Sequence, residues 1–260
     1  MSVQVQRRGA VTTILLDRPQ AMKAVNAELG DELLAALTNA ADDTAVRAVV
    51  LTGNGQAFSS GADLRSGFDP TEAGRPNVQK ALRERFHPII LTLRQMPKPV
   101  VAAVNGAAAG IGCSFALACD LIVAAESSYF LLAFVNVGLV PDGGSSVLIP
   151  ERVGFARAAE LAMLGERLPA RQALEWGLIN RVVSDETLQE EAGALADRLA
   201  QGPTRSYAGT KQQLNAWQFA RIEAQLELEA GLQQQMAESA DFVEGVTAFV
   251  EKREPRFEGR

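Results

Sequence analysis

Residues 99–119, PVVAAVNGAAAGIGCSFALAC, carry no charged side chain, and a stretch of this length must be buried somewhere. A membrane span is one way to bury it. The composition argues otherwise. The stretch is mostly Ala and Gly, and Asn105-Gly106 divides a β-branched run from a separate helical run. The expected arrangement is a buried strand (VVAAV), a turn and a buried helix (AGIGCSFALAC), which requires layers of structure on both sides.

The rest of the chain can supply those layers. VTTILL (11–16) and VRAVVLTG (46–53) read as strands with an amphipathic helix over 27–42 between them. Residues 54–75, rich in Gly, Ser, Asp and Pro, read as a loop, followed by a helix over 78–96 that PKP ends. DLIVAA is a further strand. Beyond Gly143 the pattern is helical, with INRVV (179–183) the one expected strand. Strands alternating with helices predict an α/β fold on a parallel or mixed sheet, with a mostly helical final third.

Composition excludes several function classes. The 260 residues are 47% hydrophobic with a net charge of −6, so the surface as a whole does not attract nucleic acid or anionic lipid. The N-terminal apolar run is too short for a signal peptide, and Cys113 and Cys119 fit neither CxxC nor a zinc spacing. Reduced core thiols in a cytoplasmic protein are expected. The single histidine, His87, rules out multi-histidine metal sites. GGSSV lacks the second glycine of a nucleophile elbow, and glycines 106, 110 and 112 form neither a P-loop nor G-x-G-x-x-G.

Two Gly-rich segments, AFSSGADL (57–64) and GAAAGIGCS, each follow a strand. Each can present free backbone N–H groups to an oxygen that carries negative charge, or be no more than a close-packed turn. A third segment, VGLVPDGGSSVLIP (137–150), holds one charged group, Asp142. Pro-Asp-Gly is turn chemistry, and Asp142 can cap a helix starting near Gly144. It can equally be a carboxylate kept dry to move protons. The residues alone leave both readings open.

AFSSGADL, KPVVAAVNGAAAGIGCSFALACDLIVAA, GLVPDGGSS, EWGLINRVV and DFVEGVTAFVEKREPRFEGR together resemble the enoyl-CoA hydratase/isomerase (crotonase) superfamily, in the right order along the whole chain. Within it the chain looks most like the 1,2-epoxyphenylacetyl-CoA and Δ3,Δ2-enoyl-CoA isomerase types. The resemblance implies a spiral of ββα units over residues 1–200 and a helical C-terminal oligomerisation region over 201–260, giving trimers or hexamers. It implies an acyl-CoA thioester as substrate, with no metal and no cofactor beyond the substrate's own coenzyme A.

The same resemblance implies an oxyanion hole from the N–H groups of Ala62 and Ile111. Most relatives carry glycine at the second position, so the isoleucine is expected to narrow the acyl pocket. It implies coenzyme A contacts at Lys23, Ala24, Ala62, Asp63, Leu64 and Arg65. Phe249 and Lys252 join them from a C-terminal helix, often a neighbour's, and residues 231–257 are expected to pack across a subunit boundary. Hydratases of this family activate water between two glutamates, and those positions are Ser114 and Phe134 here. The isomerases place one aspartate where Asp142 stands. The expectation is therefore an isomerase that shifts a double bond or rearranges a ring epoxide, with Ser114, Phe134 and His87 around the substrate. Two alternatives accompany it. One is a dehalogenase-like enzyme with Asp142 as nucleophile and His87 beside it, although its usual tryptophan is Phe134 here. The other is a non-catalytic binding protein of the same fold.

Overall fold

The computed structural model describes residues 1–260. The charge-free stretch becomes β5 (Val100–Val104), a turn, β6 (Ala107–Ala109) and α4 (Ile111–Ala118), all buried apart from part of Asn105. It sits within a repeated ββα unit. The first unit is β1 (Val3–Arg8), β2 (Val11–Leu16) and α1 (Ala27–Asp42). In the second, β3 (Ala48–Gly53) and β4 (Ala57–Ser59) precede α2 (Val78–Ala81) and α3 (His87–Gln95), which a π-helical turn at Leu82–Phe86 joins. β5, β6 and α4 are the third. In the fourth, β7 (Leu121–Ala125) and β8 (Tyr129–Leu131) lead to α5 (Ser145–Leu148), α6 (Pro150–Val153) and α7 (Phe155–Leu164).

The first strand of every unit joins one sheet, ordered β1-β2-β3-β5-β7-β10, where β10 is Arg181–Val183. The second strands of the last three units form another, β4-β6-β8-β9, with β9 at Leu168–Pro169. Pairing is parallel except for β1 with β2 and β8 with β9. This is the spiral of ββα units that the resemblance implies. The chain must cross from one sheet to the other within each of the last three units, and Gly106 shows how tightly. A Cβ there would lie 2.1 Å from the Gln56 carbonyl oxygen.

One buried cluster fills the space between the sheets and α1, α3 and α4. A second lies between the outer face of the larger sheet and α9 (Leu188–Gln201). The remaining helices are α8 (Ala170–Glu175), α10 (Thr204–Gln218), α11 (Ile222–Ala237) and α12 (Ala240–Glu251). No helix is long and apolar enough to cross a membrane.

Several elements differ from the sequence expectations. β6, three alanines, falls where the sequence reads as a turn and the start of a helix, yet it pairs with β4 and β8 on either side. β1 is a polar edge strand whose residues after Val3 are exposed. β8 and β9 are too short to show a period. α10 has one buried residue, Lys211, so it lacks an apolar stripe. The Lys211 ammonium anchors it, donating to the Leu93 carbonyl at 2.7 Å and to Asp120 at 2.8 Å.

α12 packs back onto the fourth unit. It seats on its own chain, crossing the turn at Val135–Val137 so closely that a Cβ on Gly245 would meet Val137 at 2.6 Å. Val243, Val250, Leu228 and Leu232 stay exposed on α12 and α11.

Candidate active site

β4 and β6 are neighbours and parallel, so their C-terminal ends lie side by side. The carboxyl ends of parallel strands are where α/β folds place ligands. Just past the end of each strand stands a glycine with positive φ, Gly61 (φ +100°) and Gly110 (φ +50°), and the two turns touch. A Cβ on Gly61 would stand 3.1 Å from the Ala109 oxygen and 3.7 Å from the Gly110 Cα. The two Gly-rich segments therefore do converge.

The next residue in each turn is one implied by the resemblance. Around Ala62 the backbone bonds skip a residue. Val25 N–H donates to Gly61 and Asp63 N–H to Val25, which leaves the Ala62 N–H without an acceptor in the chain. Ile111 opens α4, and a first helical residue has no intrahelical acceptor for its N–H. At the other end of α4, Arg94 donates to the Ala118 carbonyl, so a cation meets the helix's negative pole. The Ile111 N–H is the positive pole.

Both residues line a cavity of about 310 Å³, together with Phe68, Phe86, Phe134 and Phe249. Its lining holds one acidic residue, Asp142. Asp142 is 5% exposed, and its carboxylate makes no turn or cap bond. Oδ2 accepts from the Gln233 Nε2 at 2.6 Å, while Oδ1 is buried without a partner. The turn is organised by the Asp142 carbonyl, which accepts from the hydroxyls of Ser114 (2.9 Å) and Ser145 (2.8 Å). Gly144, left-handed at φ +79°, occupies the N-cap of α5. Burial pushes the Asp142 carboxyl up to about 8, the nearby Glu229 carboxylate adds to the rise, and the Gln233 bond opposes it.

The side chain of Ile111 lies against the backbone of this turn. A Cβ on Gly143 would be 2.4 Å from the Ile111 Cδ1. Ile111 therefore buttresses the Asp142 turn as well as lining the cavity.

Other expected residues fall into two groups. Ala62, Leu64, Phe134 and Phe249 line the cavity, Phe249 from the same chain. Ala24, Asp63, Arg65 and Lys252 do not. Arg65 and Lys252 are exposed next to lining residues Leu64 and Arg253, while Asp63 is held by Arg18 at 2.6 Å. Three more expected residues, Lys23, Ser114 and His87, also stand outside the cavity lining. Lys23 is 2% exposed, and its ammonium lies near the Asp17 carboxylate. Ser114 is fully buried behind Asp142, outside the cavity lining. His87 is also outside it, 7% exposed on α3, and burial lowers its pKa to about 4, so the ring is neutral.

Sequence reasoning missed Gln233, Glu229 and Arg253. The first two lie one turn apart on the buried face of α11, interrupting the series Ile222, Leu226, Ala230, Ala237. Polar side chains on an otherwise apolar stripe were the available signal. Arg253 lines the cavity while bound to Glu244 through two nitrogens.

The family model described as enoyl-CoA hydratase/isomerase matches residues 6–260. A protein described as a probable enoyl-CoA hydratase of Rhodobacter capsulatus is 44% identical over 250 residues, covering 96% of this chain and 95% of that protein. The 1,2-epoxyphenylacetyl-CoA isomerase of Escherichia coli is 41% identical over 251 residues, with the same coverage of 96% and 95%. Among solved structures, an enoyl-CoA hydratase from Mycobacterium avium subsp. paratuberculosis superposes with a TM-score of 0.90 at 35% identity, covering 99% of both chains.

Proposed function

The chain belongs to the enoyl-CoA hydratase/isomerase family, and from that premise we propose that it is an acyl-CoA isomerase with Asp142 as its acid/base. One observation carries the reading: the apolar cavity that Ala62 and Ile111 line contains a single carboxylate, and one oxygen of that carboxylate is free. The thioester carbonyl docks on the two N–H groups, which acidifies the adjacent carbon-bound protons. Asp142 Oδ1 takes a proton from carbon, and the electron pair moves onto the thioester oxygen as an enolate. Asp142 then returns that proton to a different carbon, and the double bond shifts with no atom gained or lost.

Hydration needs a second group to activate water. Ser114 and Phe134 stand where hydratases carry glutamates, and Glu229 is occupied by Gly144 and Ser146 N–H groups outside the cavity lining. Crotonyl-CoA should therefore be hydrated negligibly, while deuterium from solvent enters acyl-CoA thioesters, as read by mass spectrometry. Rapid hydration would overturn the isomerase reading in favour of the activity named for the Rhodobacter relative.

The pH dependence has a definite sign. The base must be ionised and its carboxyl lies at about 8. So kcat/KM should rise about tenfold per pH unit below pH 8 and level off above it. A profile flat from pH 6 to 9 would exclude Asp142 as the base. The nucleophilic alternative is disfavoured by His87, which is buried away from the cavity.

A further inference from the structure

We propose that Gln233 is a positioning residue that orients the Asp142 carboxylate and selects Oδ1 as the oxygen that exchanges protons with the substrate. The inference rests on the reading of Asp142 as the base. Gln233 is fully buried in the middle of α11 and reaches the cavity wall. Its amide is held at both ends. The oxygen accepts the Val140 N–H at 3.4 Å, and the nitrogen donates to Asp142 Oδ2 at 2.6 Å.

A backbone N–H can only donate, so the amide oxygen must face Val140 and the NH₂ must face Asp142. Oδ2 is thereby committed as an acceptor. The proton that Asp142 gains must reside on Oδ1, the oxygen with no partner. Taking up or releasing it requires no change in the Gln233 bond. One turn earlier on α11, Glu229 accepts from Gly144 N–H at 2.8 Å and Ser146 N–H at 3.2 Å. The two side chains therefore bracket the turn from 140 to 146 on both sides of Asp142.

Few other charges face this carboxylate. α4 and residues 131–140 carry no acidic or basic side chain, α11 contributes Glu229, and Arg253 lines the cavity already bound by Glu244 and Glu251. A hydrogen bond to the ionised form lowers a carboxyl's pKa. Gln233 thus offsets part of the burial effect that Glu229 reinforces.

The test uses Gln233→Leu, with Gln233→Met as a variant that keeps side-chain length but not the amide. Loss of alignment at this distance from the chemistry should lower kcat by about ten- to a hundredfold, with KM changed less than about twofold because substrate contacts remain. The rising limb of kcat/KM should move to higher pH in both variants. Independently of turnover, the protonated-carboxyl stretch of Asp142, assigned by infrared difference against Asp142→Asn, should titrate at higher pH in both. An unmoved infrared titration with kcat within twofold of native would overturn the role of Gln233 while leaving Asp142 as the base. If the native protein isomerises nothing and Asp142→Asn changes nothing, the base reading fails. The infrared titration then still decides whether Gln233 controls this carboxylate.

Discussion

Asp142→Asn should lose at least about a hundredfold in isomerase turnover and keep its fold. The amide retains an oxygen for the Gln233 Nε2, and the bonds that shape the turn come from the Asp142 carbonyl, which the substitution leaves in place. What disappears is the proton-accepting carboxylate oxygen. Stability should move in the opposite direction to activity. The folded carboxyl lies at about 8 against an ordinary 3.8, so the folded protein holds a proton that the unfolded chain has released. The contribution of this group is fully present below pH 3.8 and is lost as pH rises through 8. Asn does not ionise, so the variant's melting temperature should match the native one near pH 4 and exceed it increasingly toward pH 8. An early-melting variant whose folded fraction stays active would mean that Asp142 is only structural. Single turnover in ¹⁸O water separates base from nucleophile, because a hydrolysed aspartyl ester leaves label in the Asp142 carboxylate and a base does not. No label is expected.

That dryness is what the amino-acid order could not disclose. Pro-Asp-Gly-Gly is compatible with an exposed turn, and it becomes a site only because α11, far along the chain, covers it with Gln233 and Glu229. Elements with internal periodicity were legible: α1 runs over residues 27–42 as its apolar spacing predicts. β6 was not, since three alanines have no β preference and owe their conformation to β4 and β8. The convergence of the two Gly-rich segments could be posed from sequence, because each follows a strand. Deciding it required knowing that β4 and β6 are neighbours. The family motifs supplied the spiral, which periodicity alone does not distinguish from other α/β arrangements. They did not reveal that His87 is buried neutral, because burial of a single polar side chain depends on packing around it.

The joint between the two sheets makes the last prediction, and it lies in the charge-free stretch. Asn105 Oδ1 accepts the Gly53 N–H at 3.3 Å and its amide nitrogen donates to the Gly55 carbonyl, tying the end of β5 to the end of β3. Gly106 then passes so close to the Gln56 carbonyl that a Cβ would sit 2.1 Å from its oxygen and 3.0 Å from the Ala57 Cα. These are backbone atoms at the start of β4, and they cannot rotate away. Gly106→Ala must push β6 from β4, and with it separate the turns that carry Ala62 and Ile111. Overpacking of this kind costs roughly 3 kcal/mol or somewhat more, a fall in melting temperature of about 6–12 °C for a chain of this size. The same substitution at Gly209 should act in reverse. That residue lies inside α10 with nothing within 4 Å of its Cβ position, and alanine gains up to about 1 kcal/mol of helix preference there. Paired melting curves test both signs. A Gly106→Ala protein that melts with the native one, with unchanged turnover, would show that the sheets do not need this contact to hold the two N–H groups together.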